Sequence, residues 1–295
     1  GAIACMEHSS GVLCALCEPG YTAGSALGSG GGCSKCPDDP IEVLWPWLLL
    51  IVAVCAAIGL WIKWGRQRWA AVKQLVLKGH DLGLVVLFKL AVGFYQVGLL
   101  IPSVFGVRFP AEFLVVLGAF KFLTFELPFA SFECFMPTDY HDQMYTAAAF
   151  AVVVMSVLLA GVVQQQFLQH SKARGSSTSH ILTLFIVPSY LVYPSVSATF
   201  FNTLNCRKID GVSFLTRDLA IECASDAHKS AEAVAIAMVC VFSIGLVVVY
   251  LALLHPHRKD LASCQHLSFL FHDYKDQFWY WESVEIARKL LLTGA

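Results

Sequence analysis

Leu44-Trp45-Pro46-Trp47-Leu48-Leu49-Leu50-Ile51-Val52-Ala53-Val54-Cys55-Ala56-Ala57-Ile58-Gly59-Leu60-Trp61-Ile62, followed at once by Lys63-Trp64-Gly65-Arg66-Gln67-Arg68, decides the fold class. A helix needs about 20 mainly apolar residues to cross a hydrocarbon core, and this run supplies them without a charge. Tryptophans stand at both of its ends, Trp45 and Trp47 at one and Trp61 and Trp64 at the other, as interfacial anchors do. The composition agrees. Of 295 residues 57% are hydrophobic and only 14% charged, against roughly 25% charged in a soluble domain. Mean hydropathy is +0.65. These values argue against a secreted soluble enzyme or a disordered scaffold, and the net charge of -1 leaves no basic surface for nucleic acid.

Working outward, four further runs are long enough to span: 82–101, 144–163, 181–201 and 231–254. A sixth begins near Phe278 and runs towards Ala295. The segment 113–128 is apolar but short, carries Lys121 and Glu126, and reads as an interfacial helix. A true crossing there is the alternative, and would invert everything after it. The sequence therefore predicts an all-α integral membrane helical bundle over 41–295, behind a small disulfide-rich extracellular module over 1–40. Orientation follows from Lys63, Arg66, Arg68, Lys73 and Lys78, five cations directly after the first span. They place that loop inside and the N-terminal module outside, with the loops after the third and fifth spans inside. The chain opens on Gly1 rather than a methionine and stops within an apolar run, which reads as an excerpt of a longer protein.

The cysteines point the same way as this orientation. Cys5, Cys14, Cys17, Cys33 and Cys36 fall in the first 36 residues, two pairs of them spaced C-x2-C. That spacing also fits a zinc ribbon, but an oxidising exterior, a fifth cysteine and the glycine-rich insert Gly24–Gly32 favour disulfides. Cys206 and Cys223 lie in the loop after the fourth span, also outside, and a bridge between them is worth about 3 kcal/mol. Cys134 completes an external set of eight, which allows 105 full pairings. Cys55, Cys240 and Cys264 are expected to remain thiols.

Two stretches carry a resemblance. Cys14-Ala15-Leu16-Cys17-Glu18-Pro19-Gly20-Tyr21 with Cys33-Ser34-Lys35-Cys36 resembles the last EGF-like or growth-factor-receptor-like module of large cysteine-rich surface proteins. The membrane part is similar to the multi-pass domain that follows such modules in algae, oomycetes and other protists, itself similar to transient-receptor-potential and polycystin channels. The matching residues are Tyr193-Pro194-Ser195-Val196-Ser197, Cys206 with Asp210-Gly211-Val212-Ser213-Phe214-Leu215, Asp218 and Cys223. Phe269-Leu270-Phe271, Tyr274, Trp279-Tyr280-Trp281-Glu282 and Arg288-Lys289-Leu290-Leu291-Leu292-Thr293-Gly294 complete the match. The resemblance implies a larger extracellular portion, and peripheral, non-pore helices of a cation channel in the plasma or ciliary membrane. Its implied partners are the lipid bilayer and other membrane subunits.

The alternative function is a non-conducting anchor that holds an extracellular or ciliary filament and docks on a separate channel. Candidate gating residues are Lys89, inside the second span, and Glu282, Glu285, Arg288 and Lys289 at the start of the sixth. A lysine at mid-span costs about 3 kcal/mol, so Lys89 should face protein or water and pair with an acid such as Glu285. Equally, it simply holds helices together. Trp279 and Trp281 read as anchors at the inner interface. The span 181–201 has no Lys or Arg, which argues against steep voltage sensing, while Pro188 and Pro194 predict a kink there. No catalytic constellation, cofactor site or metal site is expected.

Overall fold

The computed structural model describes residues 5, 7–14, 16–18, 20–23, 33–36, 52, 83–105, 110, 139–170, 176–261 and 267–293. Of the first span only Val52 is among them. The interfacial segment 113–128, Trp45, Trp47, Cys55, Cys134 and Cys264 lie outside the described residues. The chain divides into two compact units, 1–92 with 128–138, and 93–127 with 139–295.

The first unit holds the cysteine-rich module. β1 (Ser9–Ser10) pairs antiparallel with β2 (Leu16–Cys17), and β3 (Tyr21–Ala23) with β4 (Cys33–Lys35). Gly11 turns the chain between β1 and β2 at φ +73, and a side chain there would run into Leu16. So little apolar surface cannot hold strands of two and three residues, so covalent bonds do it. Cys5 joins Cys14 and Cys17 joins Cys33, and Cys36 is disulfide-bonded too. The two cysteines of the first C-x2-C thus go to different partners, and no thiolate remains there for zinc. The zinc-ribbon alternative is excluded on that ground. His8 stacks on Tyr21 with ring centroids 3.9 Å apart and reaches Glu18 at 3.2 Å, which ties the two hairpins together.

The second unit is helical. α1 (Leu84–Phe105) crosses the boundary between the units; α2 (Tyr140–His170) and α3 (Ser176–Leu204) follow. β5 (Cys206–Ile209) and β6 (Val212–Leu215) form a hairpin that turns on Asp210 and Gly211, both at positive φ. A two-residue turn of that kind carries the right-handed twist of the strands, and Asp-Gly accepts it. α4 (Asp226–Met238) starts on an N-cap: the Ser225 side chain accepts from the His228 amide. A π-helical segment, Val239–Ile244, joins α4 to α5 (Gly245–Leu254). The short α6 (Ser268–Phe271) and then α7 (Trp281–Thr293) close the order.

Helix α3 is central. It packs on α2, α4, the π segment and α7. Its inward face, Ile186, Tyr190, Tyr193, Val196 and Phe200, advances by three or four residues and is almost wholly buried. Phe200 and Tyr193 both meet Phe242, at 6.3 and 5.9 Å between centroids. Gly161 of α2 lets Leu182 of α3 come so close that any Cβ would collide with it. The expected kink at Pro188 and Pro194 does not break the helix; both prolines lie inside one α-helix.

Two stretches, Tyr140–Gln164 and Asp226–His257, are long and apolar enough to cross a membrane. Both present aliphatic side chains outward: Val152, Val153, Leu159 and Val163 on the first, and Ile236, Val241, Ile244 and Val248 on the second. Contiguous exposed apolar surface of this kind marks a lipid or protein partner rather than water.

Candidate functional site

Polar groups are threaded through this apolar bundle in two places, both along α3. The first is a stripe of hydroxyls facing the π segment and α5. Ser189, Tyr193 and Ser197 recur every four residues, so they stand on one face of α3. Tyr193 donates to the Ser243 carbonyl at 2.7 Å, and Ser243 Oγ donates to Ser197 Oγ at 3.0 Å. Lower on the same face, the hydroxyls of Ser189 and Tyr250 lie 2.7 Å apart, and both reach the Ile186 carbonyl. A π turn shifts carbonyls out of the i→i+4 register, so Tyr193 supplies a proton where the local backbone pattern changes. All five side chains are buried, and each hydroxyl named has a partner.

The second place is the buried start of α7. Glu282 is 1% exposed, and the hydroxyls of Tyr190 on α3 and Tyr274 before α7 both hydrogen-bond to it. Two phenols beside one carboxylate donate to it where water cannot reach. Burial, and next the Glu282 charge, push the Tyr274 hydroxyl above its ordinary range, so it remains a donor at any physiological pH. Lys289, two turns along α7 and 2% exposed, sets Nζ 4.0 Å from the centre of the Tyr190 ring. Tyr190 therefore meets a carboxylate at its hydroxyl and a cation at its face. Gln96 of α1 donates to the Leu191 carbonyl, one residue further along α3. Gly93 of α1 passes the Lys289 stem, and an added Cβ would lie 3.5 Å from its Cε.

The residues singled out in the sequence distribute as follows. Glu282 and Lys289 are brought together through Tyr190. Glu285, the acid expected opposite Lys89, bonds Arg288 of its own helix at 2.8 Å. Lys89 itself is buried at 7% exposure. Trp279 is half-buried and meets His255 edge-on at 6.0 Å, whereas Trp281 is exposed and packs on Phe278. Cys206 and Cys223 are joined, bridging β5 to the segment that pairs with β6. Cys240 is a free, exposed thiol. Tyr190 escaped the sequence reading because an aromatic residue in an apolar run looks like core, and Tyr274 was read only as part of the resemblance, with no partner. The one available sign was the four-residue spacing of Ser189, Tyr193 and Ser197.

A helical bundle with a disulfide-bonded cysteine module ahead of it is the class this architecture defines. No protein-family model matches the chain, and no solved structure matches it. It is similar to cysteine repeat modular protein A of Toxoplasma gondii, at 28% identity over 124 residues, or 38% of this chain. The match spans 4% of that much longer protein.

Proposed function

We propose that this chain is the membrane-embedded helical section of a large cysteine-rich surface protein and serves as its anchor. Disulfides in two separate stretches of the chain carry this reading. The module over residues 5–36 and the α3–α4 connection each contain them, so both belong in an oxidising compartment. Tyr140–Gln164 between them in sequence, and Asp226–His257 after the second, are each long enough to cross lipid and turn aliphatic faces outward. The similarity to a cysteine repeat modular protein, of which the match spans 4%, supports a larger cysteine-rich protein.

The test is alkaline carbonate extraction of membranes bearing the protein, combined with thiol tagging of intact cells. The protein should stay in the pellet, and Cys206 and Cys223 should react with an impermeant reagent only after external reduction. Release into the supernatant, or protection of these cysteines from an external reductant, would overturn the anchor.

The second reading, peripheral helices of a cation channel related to transient-receptor-potential and polycystin proteins, draws on burial of Glu282 and Lys289. Ionisable groups inside apolar helices are costly and are commonly tied to transport or gating. Reconstitution in planar bilayers separates the two readings. A cation current under stretch, calcium or voltage that changes in Glu282→Gln favours the channel, and no current under any of these leaves the anchor.

A further inference from the structure

The N-terminal turns of α2 and α4 carry His141 and His228, 87 residues apart in sequence and face to face in the fold. His141 Nε2 and His228 Nδ1 are 3.2 Å apart, with ring centroids 5.4 Å apart and planes inclined by 32°. A tetrahedral zinc ion bound to two imidazoles at about 2.0–2.1 Å holds their nitrogens about 3.3 Å apart. The spacing already present is the one a shared metal needs.

The other nitrogen of His228 is also accounted for. His228 Nε2 lies 3.7 Å from Cys206 Sγ, the disulfide sulfur on β5. A proton on Nε2 facing that weak acceptor leaves the Nδ1 lone pair directed at His141. A contact at the far side of the ring is the place where outer partners of metal-binding histidines stand. His228 is 1% exposed and His141 half-buried, so the ring pair opens to solvent on the His141 side only. Glu232 stands one turn after His228 on α4, near enough to act electrostatically on its ring. The thiols of Cys206 and Cys223 are not available, because they are bonded to each other.

We propose that His141 and His228 form a two-imidazole site for a divalent transition metal, zinc or copper, that joins α2 to α4. Neutral imidazoles suit these ions, whereas calcium and magnesium require oxygen ligands. The proton now shared between the rings moves to Nδ1 of His141 as the metal takes Nε2. Binding is therefore of two neutral rings and releases no net proton near neutral pH.

The test uses the full chain purified in detergent without reductant, with free thiols alkylated so that only the disulfides remain. Zinc is titrated by calorimetry into this protein, His141→Ala and His228→Gln, and copper is added for electron paramagnetic resonance. The expected result is a saturable equivalent in the parent that weakens about tenfold or more in both variants. The copper spectrum should show coordination by two nitrogens that is lost with His141. His141→Ala is the leading variant because its ring is half-exposed and its removal spares the core. If His228→Gln fails to fold, His141→Ala alone decides. Equal zinc binding by the parent and His141→Ala, no saturable binding by the parent, or binding that arises only after reduction would each overturn the proposal.

Discussion

The two regions that α3 joins are held by different physics. At its C-terminal end the β5–β6 hairpin is closed by a covalent bond, Cys206–Cys223, in a connection that is largely exposed. Fourteen residues earlier, about 21 Å along the helix axis, Tyr190 joins α3 to α7 through a carboxylate, a second phenol and a lysine, nearly all sealed from solvent. A loop of short strands has little apolar surface to bury and is stabilised mainly by limiting its unfolded state. A buried polar cluster works the other way. It contributes only while every member has its partner, and it is unforgiving when one is removed.

The largest break should come from the buried cluster. Glu282→Ala leaves two buried phenol donors without their acceptor, at a cost of about 3 to 5 kcal/mol; thermal unfolding in detergent should reveal it. Glu282→Gln should recover part of that loss because it still accepts from one phenol. Next, Cys206→Ser should cost about 3 kcal/mol, read as a lower unfolding midpoint that dithiothreitol no longer shifts further at this site. Tyr193→Phe removes the donor to the Ser243 carbonyl and should cost about 1 to 2 kcal/mol, seen in the same melt and in faster amide exchange across Val239–Ile244. Ser225→Ala, which strips the cap of α4, should cost about 1 kcal/mol. A double variant sharpens the comparison. Cys206→Ser and Glu282→Gln should add to within about 0.5 kcal/mol, since the sites share no partner. Tyr274→Phe and Glu282→Gln should not add.

Apolar runs announced α1, α2 and α3, because hydropathy depends on composition within one window. The β5–β6 hairpin was equally readable in hindsight, since Asp210-Gly211 is a local turn signal. What stayed hidden depends on pairing across the chain. Cys14 and Cys17 are neighbours that serve different bridges, and nothing in their spacing says so. Glu282 and Lys289 were visible as charges in an apolar helix, but their meeting at Tyr190 depends on how α7 crosses α3. His141 and His228 lie on separate helices with no shared motif. That α3 runs on through Pro188 and Pro194 as one helix is also a tertiary effect, since neighbours on several sides hold backbone that proline leaves short of a donor.

The unbroken run of α4, the π segment and α5 has one more consequence. Asp226 to Leu254 is 29 residues of continuous helical backbone, about 43 Å at the usual rise. A hydrocarbon layer is about 30 Å thick. A rod of that length cannot stand upright in such a layer with both ends flush, so it must lean or raise its first turns into the headgroup zone. Those first turns carry Asp226, His228, Lys229 and Glu232, the residues suited to that zone. In the anchor proposed above, a thicker bilayer would stand the rod up and a thinner one would lay it over.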